Sequence, residues 1–190
     1  SQNVLTTLFS TDDTKKNEDF SEKTIAELVR ACFEMGKVKT GALIVIERGT
    51  PLGEIERTGI EVDGIVTSQL LINIFEHNTP LHDGAVAIRG NRVTAATCYL
   101  PLSDNMDISK ALGTRHRAAV GVSEATDSVT LVVSEETGRV SVAVSGRLKS
   151  VKDGDELRDM LSVLVKRETE NTGRFRIWKG RRRNERKADE

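Results

Sequence analysis

The stretch Gly41 to Glu47 reads GALIVIE, and it constrains the fold more than any other part of the chain. A near-continuous apolar run of strand length is expected in a sheet covered on both faces, whereas a half-wet sheet shows alternation. One covering helix is predicted behind Ser21, a side chain suited to an N-cap. Its apolar positions Ile25, Leu28, Val29, Cys32 and Met35 follow the three-and-four spacing of one buried face. A second fits Gln69 to Glu76, with Leu70, Leu71, Ile74 and Phe75 inward, and Pro80 stops it from continuing far.

AVAIR and RVTAATCYL flank Gly90-Asn91, a two-residue hairpin signal with positive φ available at both positions. TLVVS and RVSVAVS flank EETG in the same way. A helix start at Gly113-Thr114 separates the two hairpins, and Asp153 with Glu156 forms a capping box before Leu157, Met160, Leu161 and Leu164. The order helix, strand, helix, hairpin, helix, hairpin, helix predicts an α/β or α+β single domain. Its centre is a mixed, largely antiparallel sheet flanked by helices.

At 190 residues, 37% apolar and 30% charged, the chain suits one globular domain with a sizeable core and is not a disordered protein. No run approaches the roughly 18 apolar residues of a membrane helix, and SQNVLTTLFSTDD lacks the basic-then-apolar order of a signal peptide. The two cysteines, Cys32 and Cys98, show no metal-ligand spacing and read as small core residues of a reduced compartment, by default the cytosol. The net charge of −1 conceals an asymmetry, because Arg174 to Glu190 holds eight Lys/Arg against three Asp/Glu. That basic end suits an anionic surface or is simply a solvated terminus. The acidic remainder is a poor nucleic-acid platform, so no nucleic-acid partner is expected.

Three stretches carry chemistry. Thr79-Pro80-Leu81-His82-Asp83-Gly84-Ala85 sets an imidazole, a carboxylate and a glycine at the mouth of a strand. Gly84 lets the backbone come close to a ligand. In a turn, His82 and Asp83 could both reach one ion or its phosphate ligands; the plainer alternative is a capped turn with Asp83 bonded to its own backbone. Leu112 to Val120, LGTRHRAAV, places a glycine, a hydroxyl and two arginines at a helix start, where free N–H groups and the dipole favour an anion. Arg115 and Arg117 work against that dipole unless something negative is bound, which suggests a polyphosphate; surface pairing with Glu124 or Asp127 is the alternative. Val133 to Gly138, VSEETG, offers acids and a hydroxyl for a metal or a ribose, or ordinary turn chemistry. No GxxxxGK[ST] loop occurs and no glycine-rich fingerprint follows the first strand.

HDGA, GTRHRAA and SEETG, together with GALIVIER, LLINIF, NTPLHDGA and CYLPLS, closely resemble the catalytic domain of bacterial diadenylate cyclases of the membrane-anchored CdaA (DacA) type. The resemblance runs from about Ser21 to about Leu164. It implies a DAC/DisA_N-like fold and the condensation of two ATP into cyclic di-AMP with release of two pyrophosphates. It further implies Asp83 as the catalytic acid assisting the ribose 3′-hydroxyl, with His82 and Asp83 on the metal and Gly84 and Ala85 lining the nucleotide. The expected ion is Mn²⁺ or Mg²⁺, with Co²⁺ as a third candidate. Thr114, Arg115, His116 and Arg117 would bind phosphates with help from Ser134. Tyr99 and Leu100 would hold the adenine, and Glu136 would lie near the phosphates and metal.

One domain with one ATP cannot close a two-nucleotide ring, so the resemblance implies a face-to-face homodimer with an isologous contact. Phosphoglucosamine mutase and a membrane regulator protein are the further partners it implies. Anchored members begin with membrane helices that are not present between Ser1 and Glu190. The expected organisation is a juxtamembrane linker over 1–20, the catalytic domain over 21–170 and a basic flexible tail over 171–190. The full-length protein would then sit at the cytoplasmic face of the membrane, and the stretch from Ser1 to Glu190 would by itself be soluble. A competing class is a non-catalytic nucleotide-binding sensor module. Asp83 discriminates, since a sensor has no need of a carboxylate beside an attacking hydroxyl, where it repels phosphate. If the basic end contacts an anionic leaflet, removing residues 174–190 is expected to reduce pelleting with anionic liposomes; equal pelleting would sink that reading.

Overall fold

The computed structural model describes residues 20–105 and 112–164, so most of the expected linker and all of the basic tail lie outside the described residues. Helix α1 (Glu22–Lys37) begins as its sequence predicts: Ser21 is extended and its hydroxyl accepts the Thr24 amide at 3.2 Å. Its start is also tied to the first hairpin, because Asn91 Oδ1 accepts from the Ser21 amide at 2.8 Å and the Thr24 hydroxyl at 2.6 Å. Strand β1 (Ala42–Ile46) is buried at all five positions. Ala42, Ile44 and Ile46 enter one apolar cluster while Leu43 and Val45 enter another, as a doubly covered strand requires.

The remaining elements are α2 (Gly53–Glu56), β2 (Ile60–Ile65), α3 (Ser68–Phe75), β3 (Ala85–Arg89), β4 (Arg92–Cys98), α4 (Thr114–Ala125), β5 (Val129–Val133), β6 (Val140–Val144) and β7 (Arg147–Ser150). A helix over 154–164, α5, follows. The strands form one seven-stranded sheet in the order β2-β4-β3-β1-β5-β6-β7. Only β1 and β3 run parallel; the other five pairings are antiparallel, which is the mixed, largely antiparallel sheet expected. Helices α1, α3 and α5 cover one face, and α4 with Leu52 and Ile55 covers the other.

Local chemistry explains the helix starts. Thr67 caps α3 by accepting the Leu70 amide at 3.1 Å, and Glu27 of α1 accepts the Ser68 amide at 2.6 Å, joining the two helices. That bond holds the Glu27 carboxyl below its usual range. At α5, Asp153 Oδ1 accepts the Glu156 amide at 2.9 Å. The return bond departs from a capping box: Glu156 reaches past Asp153 to the Lys152 amide at 2.8 Å and to the Lys149 ammonium at 2.7 Å.

Three elements escape the sequence pattern: α2, β2 and β7. Strand β2 is an edge strand with no buried residue and a bulge at Asp63, whose φ is 48°. Strand β7 is a four-residue edge joined to β6 through Ser145 and Gly146, both at positive φ. At the first hairpin only Gly90 has positive φ, so the turn needs one permissive residue where the sequence offered two. Cys32 and Cys98 are buried as expected. Burial pushes their thiols up to about 12 and about 11, the latter helped by Glu56, so neither is a reactive thiolate at neutral pH. Among the described residues, no helix is long and apolar enough to cross a membrane.

The tip of the β5–β6 hairpin rests on the C-terminal end of α1 through two glycines. A Cβ on Gly138 would fall 2.2 Å from the Gly36 carbonyl oxygen, and Gly138 has a φ of +74°. Gly138→Ala is therefore expected to destabilise the protein by roughly 1–3 kcal/mol, read as a lower urea midpoint. An unchanged midpoint would show that this contact yields without cost.

Candidate active site

Sheet register brings the three chemical stretches together. Strand β1 pairs with β3 through Ile44 and Val86, and with β5 through Ala42 and Val133. Extending those registers, by three places toward β3 and by one toward β5, sets Gly41 between Asp83 and Ser134. On the far side of β3, Ala85 pairs with Cys98, so Tyr99 and Leu100 follow directly beside Gly84. The first turn of α4 lies against the same end of the sheet. Two adjoining clefts open there, of ≈ 240 Å³ and ≈ 470 Å³, and both are lined by Arg115 and Glu135. Ligand pockets usually run from about 300 to 1,000 Å³, so a nucleotide-sized molecule needs both clefts.

His82 is held by its own turn. Its Nδ1 lies 2.6 Å from the Thr79 carbonyl oxygen, so Nδ1 donates the hydrogen and Nε2 keeps a free lone pair. That Nε2 faces Asp83 Oδ1 at 3.6 Å, and the Asp83 side chain is 87% exposed. Gly84 is demanded by the neighbouring strand: its φ is +83°, and a Cβ would sit 2.8 Å from the Cys98 carbonyl oxygen. Ala85 is buried as the first residue of β3.

At α4, Thr114 and Arg115 occupy the first turn behind Gly113, with no side chain capping the helix. Arg115 donates to Glu135 at 2.7 Å, and its guanidinium packs against Gly41, where a Cβ would lie 3.0 Å away. His116 is buried in the cleft wall. Burial holds its imidazole below the ordinary range against the pull of Glu136, and Arg115 acts in the same direction as burial. It is therefore a neutral polar group at physiological pH, not a cation for phosphate.

Arg117 lies outside both clefts. Its guanidinium donates to the Ser103 carbonyl at 3.1 Å, while the Ser103 amide donates to the Arg117 carbonyl at 3.0 Å. This double tie docks the segment after β4 onto α4, a contact so close that a Cβ on Gly121 would fall 2.1 Å from the Pro101 carbonyl oxygen. That segment begins with Tyr99, which is 70% exposed, and Leu100, which is buried. The Tyr99 amide donates to the Thr58 hydroxyl at 2.8 Å. Ser134 organises the hairpin tip by accepting the Glu136 and Thr137 amides at 3.3 and 3.2 Å, and Glu136 stays exposed on the cleft.

Gly41 and Arg139 line the site or press on it without having been singled out in the sequence, and Glu135 was offered there only as one of the two acids of VSEETG. The only signals available were a glycine opening the first strand and the remaining charges of the SEETGR turn.

No group of three or more His, Cys, Asp or Glu side chains that could hold a metal occurs among the described residues. The His82 Nε2 and Asp83 Oδ1 pair, 3.6 Å apart, nevertheless offers one nitrogen and one carboxylate oxygen, a donor set that suits a divalent transition ion such as Mn²⁺ better than Mg²⁺, with water and substrate phosphates to complete the shell.

Comparison with known proteins finds relatives of this fold. A family model described as DisA bacterial checkpoint controller nucleotide-binding (DAC) matches residues 29–148. Cyclic di-AMP synthase CdaA of Bacillus subtilis is 51% identical over 166 residues, covering 87% of this chain and 61% of that protein. A diadenylate cyclase of Listeria monocytogenes is 50% identical over 157 residues, covering 82% of this chain and 58% of that protein. The chain thus spans about three fifths of the length of these curated relatives. The crystal structure of a DacA double mutant from Staphylococcus aureus matches with a TM-score of 0.74 at 46% identity, covering 76% of this chain and 96% of that one. A structure described as a hypothetical membrane spanning protein from Bacillus cereus matches at 0.66 and 42% identity, covering 68% of this chain and 64% of that one.

The buried neutral His116 gives the site a pH signature. Its folded-state value lies below the unfolded one, so the stabilisation is full above about pH 6.5 and is lost as pH falls from there through the folded-state value. Urea midpoints of the native protein are expected to drop more steeply between about pH 7 and about pH 5 than those of His116→Gln. Equal slopes would mean that the ring charges freely.

Proposed function

Since the chain belongs to the DisA bacterial checkpoint controller nucleotide-binding (DAC) family, we propose that it condenses two ATP into cyclic di-AMP, releasing two pyrophosphates, as a metal-dependent diadenylate cyclase. The observation that carries this reading is the assembly of His82-Asp83, Arg115 at the start of α4, and Ser134 to Glu136 at one end of one sheet. Phosphoryl-type transfer asks a protein mainly to position groups and to neutralise charge, and these residue types do both.

In each half-reaction a ribose 3′-hydroxyl oxygen attacks the α-phosphorus of the other ATP, and the bond from that phosphorus to its bridging oxygen breaks. Pyrophosphate leaves with the electron pair. Asp83, exposed at the mouth of β3, would orient the hydroxyl and receive its proton. Arg115 and the free amides of the first turn of α4 face the phosphates. Tyr99 offers a ring face for adenine, and Arg117 acts one step back by fixing the segment that presents it. His82 Nε2 and Asp83 are the groups that would hold Mn²⁺, Mg²⁺ or Co²⁺. When bound, the ion would supply positive charge beside the triphosphate and lower the basicity of the attacking oxygen.

Each domain holds one ATP in this reading, so the ring closes between two protomers meeting face to face, each presenting its nucleotide to the other. The proposal extends to the longer protein: an attachment at the cytoplasmic face of the membrane, in keeping with the structural relative described as membrane spanning. Phosphoglucosamine mutase and a membrane regulator remain partners suggested by family resemblance alone.

Incubation with ATP and Mn²⁺, followed by mass spectrometry, is expected to show cyclic di-AMP from the native chain. Asp83→Asn is expected to lower the rate by about 10²- to 10⁴-fold. Specific activity should rise with protein concentration, because the productive species is a dimer. ATP left intact at high protein concentration, despite measurable ATP binding, would overturn the cyclase reading in favour of a sensor.

A further inference from the structure

The smaller cleft continues past Arg115 and Glu135 to the start of β6 and the end of β7, where Arg139, Ser141 and Ser150 line it. We propose that this outer limb is a transit site for the departing pyrophosphate, with Arg139 as its cationic ligand. The inference rests on the cyclase reading above and concerns where its product goes.

Strand spacing makes the first argument. Neighbouring strands lie about 4.8 Å apart, and the order β3, β1, β5, β6 puts β5 roughly 10 Å and β6 roughly 14 Å from the strand that carries Asp83. A triphosphate whose ribose sits at Asp83 runs out near β5, at Arg115 and Ser134, roughly two strand spacings away. The limb at β6 and β7 lies beyond the reach of bound ATP and on the line along which a leaving group moves outward.

Side-chain chemistry makes the second. Among the described residues no hydrogen bond or ion pair engages the Arg139 guanidinium, whereas Arg115 is already paired with Glu135 at 2.7 Å. The floor carries two hydroxyls, Ser141 Oγ and Ser150 Oγ, 3.4 Å apart, with Ser141 only 3% exposed. Forked guanidinium donors and hydroxyls suit phosphate oxygens. Glu136 on the same wall opposes a bare anion, so the limb favours pyrophosphate as its magnesium complex and holds it loosely, as a passage requires.

The test is inhibition by magnesium pyrophosphate, measured on the native chain, Arg139→Ala and Arg139→Lys. For Arg139→Ala the inhibition constant is expected to rise roughly tenfold, with a clearly smaller rise in KM for ATP, and Arg139→Lys to recover part of the loss. An unchanged inhibition constant would overturn the proposal. Equal factors on both constants would also overturn it, since Arg139 would then belong to the triphosphate subsite. Calorimetric titration of magnesium pyrophosphate into the native chain and Arg139→Ala reads the site without turnover. Weaker binding by the variant supports the limb even if no cyclic di-AMP forms, and equal binding removes it.

Discussion

A strand buried on both faces cannot slip. Moving β1 by one residue would exchange Ile44 and Ile46 with Leu43 and Val45, pressing larger side chains into the cluster beneath α4 and smaller ones against α1. Misfit packing of this kind costs about 1–3 kcal/mol, so the register of β1 is held from both faces at once. Because β1 pairs with β3 on one edge and β5 on the other, that register also determines which residues stand next to one another at its open end. Asp83, Gly41 and Ser134 meet there for the same reason that the core is packed. The candidate site is thus placed by the doubly buried centre of the sheet.

Around that end the protein holds the candidate groups in defined states. Arg115 is held by Glu135 and confined by Gly41, so its guanidinium has little conformational freedom to lose when an anion arrives. His116 is kept neutral by burial, which leaves the positive charge of the cleft to arginines. The turn that holds His82 uses Nδ1 for the Thr79 carbonyl and thereby selects the tautomer with a free Nε2. Gly36 and Gly138 let a helix end and a hairpin tip approach at backbone distance, fixing SEETG relative to β1. Apart from the Arg115–Glu135 pair, these contacts are made by backbone and ring atoms rather than by long side chains.

The parts of the fold legible in the sequence were those with a buried periodicity. The α1 stripe, the GALIVIE strand, α3 and both hairpins all bury apolar positions at regular spacing, so pattern and structure have the same cause. Strand β2, IEVDGI, buries nothing and turns at Asp63, so its alternation carries no core signal. Strand β7 is short and polar, although the Ser145-Gly146 pair was a readable turn. At the site, the motifs marked the stretches that carry candidate chemistry, because acids, arginines and glycines at strand and helix mouths have few structural uses in that density, and these stretches meet at one end of the sheet. Their partners were not legible. Arg115 with Glu135, and Arg117 with Ser103, join residues 20 and 14 positions apart through tertiary packing. The two arginines of RHR face different partners because a helix turns about 100° per residue, which sets them about 200° apart, so Arg115 faces the cleft and Arg117 the segment after β4.

The exposure of the central carboxylate separates this site from an ordinary enclosed one. Electrostatic catalysis is strongest where water is excluded, since a charge in bulk solvent acts through a dielectric several times higher. Yet the Asp83 side chain is 87% exposed, and Tyr99 beside it is 70% exposed with Leu102 nearby at 50%. An acid and an aromatic ring left in water at the mouth of a rigid cleft make poor catalytic use of their own protomer. Both become effective if a second surface closes over them. A copy of the same chain, meeting it about a two-fold axis, would bring its own nucleotide to the face that lacks one and exclude water from both. The open geometry is in keeping with the two-protomer reading proposed above, in which each domain supplies half of an active site.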